Sequence, residues 1–191
     1  MAFHGHLCPG LAIGVQAARF ALREIGPHAQ DEEVVAVVET DMCAVDAIQS
    51  LVGCTFGKGN LIHRDLGKNA FTFYRRSDGK GVRLLTRADA WGSKDLAAED
   101  LGKRARSGAA SHHEQEEYWK VHRSRAAAIL ARPDSELFLS TPVAAAPPRP
   151  ARIHASLECA TCGEATMETR TRQFGGATLC IPCFERADTR A

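Results

Sequence analysis

The clearest indication of the fold in the first part of the chain is the run Val34-Val35-Ala36-Val37-Val38. It is continuously apolar and mostly β-branched, without the polar alternation of a strand that faces water. Such a run predicts a strand that is buried on both faces. Helical and strand patterns lie on either side of it, so we expect a mixed α and β domain.

Two helices are predicted next to this run. Before it, the stretch from Pro9 to Ile25 carries an apolar stripe at spacings of three and four, and Pro9 suits the first position of a helix. After it, roughly residues 43–51 form a shorter helix that Asp41 can cap. The predicted buried positions are Leu11, Val15, Ala18, Leu22 and Ile25 in the first helix, and Val45, Ile48 and Val52 in the second.

Further along, alternating apolar residues predict strands over 70–76 and 81–87, joined by a turn. Helical patterns follow over 96–106 and 110–131, and residues 137–139 form at most a short strand. The predicted fold class is α+β, with helices packed on a mainly antiparallel sheet. A small treble-clef- or ribbon-like zinc knuckle follows.

A proline-rich stretch divides the chain. Residues 142–150 hold half of the eight prolines, which excludes a helix interior or a central strand and favours a semi-rigid linker. We therefore expect a core domain over 1–141, a Pro/Ala-rich linker over 142–154 and a four-cysteine module over 155–191.

Composition restricts the classes of function and the compartment. The chain has 24 Lys and Arg and 23 Asp and Glu, a net charge of +1, so we do not expect nucleic acid as a partner. No run approaches the roughly 18 apolar residues of a membrane span, and the first six residues lack the pattern of a secretory signal. Seven cysteines, four of them in C-x-x-C pairs, suit a reducing compartment, so a cytoplasmic protein is expected.

The C-terminal cysteines predict a structural zinc site. Cys159 and Cys162 form one C-x-x-C pair, and Cys180 and Cys183 form the other. Two such turns provide four thiolate ligands for one tetrahedral zinc ion. Because the segment has few large apolar residues, metal binding would provide much of its folding free energy. The alternative is a pair of redox dithiols. A module of this kind binds protein or nucleic acid or staples a chain end, and the balanced charge favours protein contact or stapling.

A second site is expected in the core. His4, His6 and Cys8 alternate ahead of the first helix, so an extended segment would point them the same way. The helix N-terminus favours a thiolate at Cys8, and the glycines around Cys54 allow a ligand loop to approach closely. We expect His6, Cys8 and Cys54 to bind a transition metal, and His4 to be a fourth ligand or to orient His6. The candidate catalytic residues are Cys8, Cys54, Lys58 and Asp41, with Lys58 and Asp41 lying next to the metal ligands.

Other residues receive more ordinary interpretations. Cys43 is interpreted as a small buried hydrophobe, and His112, His113 and His122 as solvated helix residues. The segment from Gly53 to Gly59 lacks the spacing and the Ser or Thr of a phosphate loop. His113-Glu114 lacks the second histidine of a zincin motif, since position 117 is Glu.

Several motifs together resemble FmdE, a family named for one of the subunits of formylmethanofuran dehydrogenase. They are Phe3-His4-Gly5-His6-Leu7-Cys8-Pro9-Gly10-Leu11, Asp46-Ala47-Ile48-Gln49, Gly53-Cys54-Thr55-Phe56-Gly57-Lys58-Gly59-Asn60-Leu61 and Asp65-Leu66-Gly67-Lys68. The resemblance covers roughly residues 1–140. It implies an α+β homodimer, some members having a C-terminal zinc finger, and association with a molybdenum or tungsten enzyme of one-carbon metabolism. The shared positions would be His4, His6, Cys8 and Cys54, with Asp41 and Lys58 nearby.

Three classes of function stay open at this point. The first is a metal-binding accessory subunit, or a metal handler, whose redox chemistry lies in a partner protein. The second is a small enzyme that uses Cys8 or Cys54 as a nucleophile, or a metal-activated water. The third is a zinc-finger regulator.

Overall fold

The computed structural model describes residues 2–92 and 96–188 and divides the chain after Pro150 into two compact units. The limits of the expected domains at Met1 and at 189–191 lie outside the described residues. The first unit contains helices α1 to α5 and strands β1 to β5. In chain order they are α1 (Pro9–Glu24), β1 (Val34–Val38), α2 (Ala44–Val52), β2 (Leu61–His63), β3 (Ala70–Arg75), β4 (Gly81–Thr86), α3 (Leu96–Ser107), α4 (His112–Ala131), α5 (Asp134–Leu137) and β5 (Phe138–Pro142).

A five-stranded sheet in the order β2-β1-β3-β4-β5 forms the frame of this unit. Only the β1–β2 pair is parallel, with Ala36 opposite Leu61, and the other three pairs are antiparallel. All five residues of β1 are buried. The expectations of a mainly antiparallel sheet and of a strand covered on both faces are therefore confirmed.

The helices pack against one face of the sheet. The main apolar cluster joins Val34, Ala36 and Val38 of β1 to residues of α1, α2 and α4. Val35 and Val37 point the other way and pack with Tyr74. Because successive side chains of a strand alternate, the single run 34–38 supplies both clusters.

The closest helix contact is between α1 and α2. An added Cβ at Gly14 would lie 2.3 Å from the Ala44 carbonyl oxygen. Only glycine allows the two backbones this approach. The contact fixes where the N-terminal end of α2 lies against the first turns of α1.

The element boundaries differ from the prediction at two places. The residue that precedes α2 is Cys43, so Asp41 does not cap that helix, and no side-chain bond caps it. Leu137 ends a short helix, and the following strand reaches Pro142, beyond the expected short strand. The Val143 amide also donates to the Gly81 carbonyl, and Arg76 donates to the Pro148 carbonyl. The start of the proline-rich stretch thus belongs to the sheet.

Buried Asn60 fixes the glycine-rich loop after α2. Its side chain accepts from the Thr55 amide and donates to the carbonyls of Val34 and Asp31. The side chain is fully buried, so these bonds replace water. The loop is therefore tied to the start of β1.

The second unit consists of two short hairpins and a helix. Strands β6 (Ser156–Glu158) and β7 (Ala165–Met167) form the first hairpin, and β8 (Thr171–Phe174) and β9 (Ala177–Cys180) form the second. Helix α6 (Ile181–Ala187) follows directly. This is the small treble-clef-like module that the sequence predicts. No helix among residues 2–92 and 96–188 is long and apolar enough to cross a membrane.

Candidate metal centres

The four cysteines of the second unit converge. The sulfurs of Cys159, Cys162, Cys180 and Cys183 all lie within 4.8 Å of one another, and those of Cys162 and Cys180 are 3.9 Å apart. Four Zn–S bonds of about 2.3 Å in a tetrahedron place the sulfurs about 3.8 Å apart. The cluster therefore fits one zinc ion with no position left for a substrate, as in a structural site.

Hydrogen bonds to the cysteine sulfurs favour the thiolate form that a metal ion needs. Hydrogen bonds from the backbone at Cys162, Cys180 and Thr161 lower the pKa of Cys159 to about 6, which favours the thiolate that zinc needs. Gly163, at φ +73°, lets the knuckle turn directly after Cys162. The Arg186 guanidinium donates to the Cys183 sulfur over 2.9 Å, which places a positive charge beside the thiolates.

The core brings together a different set from the one expected. His4, Cys8 and Cys43 place their ligand atoms within 4.8 Å of one another. The His4 Nε2 atom is 3.8 Å from the Cys8 sulfur. A tetrahedral ion with bonds of about 2.0 Å to nitrogen and 2.3 Å to sulfur separates such atoms by about 3.6 Å. The donor set is suited to a soft or borderline transition metal.

The starts of helices α1 and α2 position the two cysteines of this cluster. Cys8 is the N-cap of α1, and its sulfur accepts from the Leu11 amide, so the helix start orients it. Cys43 directly precedes α2, and its Cβ would lie 3.2 Å from a Cβ at Gly10. Burial, and then the neighbouring Cys8, raises the pKa of Cys43. A cation at this point would offset that cost by stabilising the thiolate.

Asp46 orients the histidine. Its Oδ2 atom lies 2.6 Å from His4 Nδ1, which leaves Nε2 of the same ring directed toward Cys8. A carboxylate on the far nitrogen is the usual support of a metal-bound histidine, because it fixes the tautomer and the ring plane. Asp46 lies in the first turn of α2, and Cys43 directly precedes that helix, so the start of α2 supplies both a ligand and this support.

The structure places Cys54 away from the cluster. Cys43 precedes α2 and Cys54 follows its end, so the nine residues of the helix separate them by about 14 Å. Cys54 is fully buried and donates to the Val34 carbonyl. Burial raises the pKa of its thiol to about 12, which disfavours the thiolate that a nucleophile or a metal ligand needs.

Lys58 and Asp41 also differ from their expected places. The Lys58 ammonium donates to the Ala29 carbonyl and so braces the glycine-rich loop near Cys54. Asp41 is exposed. Asp46 is the carboxylate that contacts the core cluster.

His6 lies beside the cluster. Residues 2–6 form turns, with Gly5 at φ +86°, so the alternation of an extended strand does not apply. The turn brings His4 to Cys8, while the His6 ring lies 4.5 Å from the His4 ring and 5.3 Å from Trp119 of α4.

A cavity of about 400 Å³ adjoins the core cluster. Both tryptophans of the chain, Trp91 and Trp119, line it together with Tyr118. Its remaining lining residues are His6, Cys8, Pro9, Gly10, Met42, Cys43, Asn69, Arg106 and His122. Its size and aromatic walls are those of a small-molecule site, and two of the three candidate ligands border it.

Sequence reasoning missed the places of His122 and Cys43. His122 is half-buried and packs on Tyr118 at 4.2 Å between ring centroids, where a solvated residue was expected. The signal that points to Cys43 is its place at a helix start with Asp46 three residues later. The nearby glycines, Gly10 and Gly14, also indicate that α1 and α2 approach closely.

Comparison with known proteins assigns a family to each of the two units. The family described as "FmdE, Molybdenum formylmethanofuran dehydrogenase operon" matches residues 3–139. The chain belongs to the FmdE family. The prokaryotic dksA/traR C4-type zinc finger matches residues 152–188, so the second unit is a zinc finger with the four cysteines as ligands. The resemblance stated from the motifs is confirmed, as is the structural zinc.

Two relatives extend the comparison. A tungsten formylmethanofuran dehydrogenase FmdE-like protein from Syntrophus aciditrophicus, known from a crystal structure, shares the fold, with a TM-score of 0.59 and 23% identity over 98% of this chain and 89% of that one. A probable S-adenosyl-L-methionine-binding protein from Archaeoglobus fulgidus is 34% identical over 95% of this chain. The chain spans about half the length of that second protein.

Proposed function

We propose that the first unit binds a transition metal through His4, Cys8 and Cys43 and presents it to the adjoining cavity. The observation that carries the proposal is the convergence of three ligand atoms within 4.8 Å, with Asp46 on the far nitrogen of the histidine. A carboxylate in this place is the usual partner of a metal-bound histidine. Three protein ligands leave a fourth position, which is the arrangement of a reactive or ligand-exchanging site.

In this proposal the residues have distinct roles. Cys8 and Cys43 supply sulfur, which selects zinc, iron, nickel or copper(I) over magnesium or calcium. Asp46 holds His4 in one orientation, and the α1–α2 contact holds the two cysteines together. A metal at this position supplies a Lewis acid for a ligand in the cavity.

Metal content tests the proposal. Wild-type protein purified with zinc is expected to hold about two ions per chain, and Cys43→Ser about one, because serine is a poor ligand for soft metals. Cys54→Ser is the matched control and should keep both ions. Cobalt substitution gives a second readout, since Cys43→Ser should weaken only the sulfur-to-cobalt absorption of the core site. One ion in the wild type, or two in Cys43→Ser, would reject the core site.

We further propose that the protein is a cytoplasmic homodimer that serves a molybdenum or tungsten enzyme as an accessory subunit. The family match supports this partner class. The near-neutral charge and the cysteine content support a protein partner in a reducing compartment over nucleic acid. Light scattering over micromolar concentrations measures the dimer, and a monomer throughout that range would contradict it.

Binding of S-adenosyl-L-methionine is a second candidate function. It is favoured by the similarity to the Archaeoglobus fulgidus protein and by the cavity, whose aromatic rings attract a sulfonium cation through their faces. Calorimetric titration of the metal-loaded protein should show binding that Trp119→Ala weakens by about tenfold. An absence of heat at millimolar S-adenosyl-L-methionine would reject this candidate.

A further inference from the structure

The cavity beside the core cluster has one strongly polar corner. Arg106, near the end of α3, is the lining residue with a permanent charge, and none of the lining residues is a carboxylate. Within residues 2–92 and 96–188, Arg106 has no ion pair or hydrogen bond. Its neighbour Arg104, by contrast, pairs with Asp100 and Glu114. No described carboxylate therefore pairs with this exposed cation, although Glu99 lines a neighbouring hollow with it.

The rest of the lining is mainly apolar and aromatic. Trp91, Tyr118 and Trp119 present flat apolar surfaces, and the rings of Tyr118 and Trp119 lie 5.2 Å apart in an edge-to-face arrangement. Flat ligands gain by stacking on such rings, and the cavity volume of about 400 Å³ suits a molecule of one or two rings.

His122 adds a second polar group without a partner. Among the described residues, its Nδ1 atom is the buried side-chain nitrogen or oxygen that forms no hydrogen bond. His122 lines the same cavity as Arg106. Buried polar groups in native proteins are nearly always bonded, so an unbonded one in the wall of a cavity indicates a partner that the chain itself does not supply.

From these observations we propose that the cavity binds a small molecule with a flat ring and a carboxylate, the carboxylate paired with Arg106 and the ring held against Trp91 and Trp119. Guanidinium and carboxylate match in geometry and charge, which makes this pair the natural anchor for such a ligand. The inference takes the cavity as the ligand site of the proposed function, and it does not require the metal.

The two tryptophans make the test direct. Because both line the cavity, quenching of tryptophan fluorescence reports on binding there. Each tryptophan also borders a second hollow, so the Arg106 variant is needed to assign the quenching to this cavity. Nicotinate and nicotinamide are suitable probes, since they share a ring and differ in the charge of one substituent. Nicotinate should quench saturably, and nicotinamide should bind at least about tenfold more weakly, because it lacks the charge-assisted bond.

Variants separate the anchor from general effects. Arg106→Gln should weaken nicotinate by about tenfold or more and leave nicotinamide unchanged. Arg123 is exposed on α4 and lies outside the cavity lining, so Arg123→Gln should leave the affinities for nicotinate and nicotinamide unchanged. Zinc content should stay the same in both variants, so failure here is distinct from failure of the metal site. Equal binding of the two probes, no binding of either, or an unchanged affinity in Arg106→Gln would overturn the proposal.

Discussion

Replacing Cys180 with serine is expected to unfold the second unit and leave the first unit folded. The unit buries few large side chains, and Cys159, Leu179, Cys180 and Cys183 form its small core. Zinc binding in such modules supplies about 10–16 kcal/mol of folding free energy. Without the fourth sulfur, the hairpins and α6 have too little apolar burial to remain ordered.

Hydrogen exchange and zinc analysis together measure this effect. Amide protection should be lost across residues 155–188 and kept in α1 and β1, while about one zinc ion per chain disappears. Thr161→Ser, a change between two ligands that keeps all four sulfurs, serves as the control and should keep both the ion and the protection. Full zinc occupancy with unchanged protection in Cys180→Ser would disprove the assignment.

Gly14→Ala is expected to give a large loss of stability in the first unit. The new Cβ would lie 2.3 Å from the Ala44 carbonyl oxygen and 2.6 Å from its Cα, and both of these atoms are backbone. Helices α1 and α2 must move apart to relieve the overlap, which exposes apolar surface between them. We expect a loss of roughly 3 kcal/mol or more in the free energy of unfolding, and a Tm lower by roughly 6–12 °C.

The same substitution also tests how the core site is held. Separation of the helices carries Cys43 away from Cys8, so binding of cobalt at the core should weaken while the zinc finger keeps its ion. Gly57→Ala is the matched control, because a Cβ there meets nothing within 4 Å and the change should cost less than about 0.5 kcal/mol. A Gly14→Ala protein with wild-type Tm and unchanged cobalt binding would show that the α1–α2 contact at Gly14 determines neither the stability nor the core site.

Much of the molecule follows from local sequence. The apolar spacing and Pro9 predict α1, and the β-branched run predicts β1, because each pattern reflects a single element meeting a core. The spacing of the two C-x-x-C pairs predicts the zinc finger, since each pair reaches one ion from its own turn. The motifs from Phe3 to Leu11 and from Gly53 to Leu61 identify the family.

Tertiary structure alone selects the residues of the candidate core site. Cys43 and Cys54 flank the same helix, and apart from Asp46 three residues after Cys43, the sequence does not show which of them faces Cys8. The approach of α1 to the N-terminal end of α2, permitted at Gly14, selects Cys43 and leaves Cys54 about 14 Å away in the apolar core. The turn at Gly5 brings His4, and not His6, to Cys8, because residues 2–6 form turns and do not alternate as an extended segment would. The sequence by itself determined the zinc finger, because each C-x-x-C pair forms within one turn. The candidate core ligands lie at the starts of two helices, and only the packing of α1 on α2 brings them together.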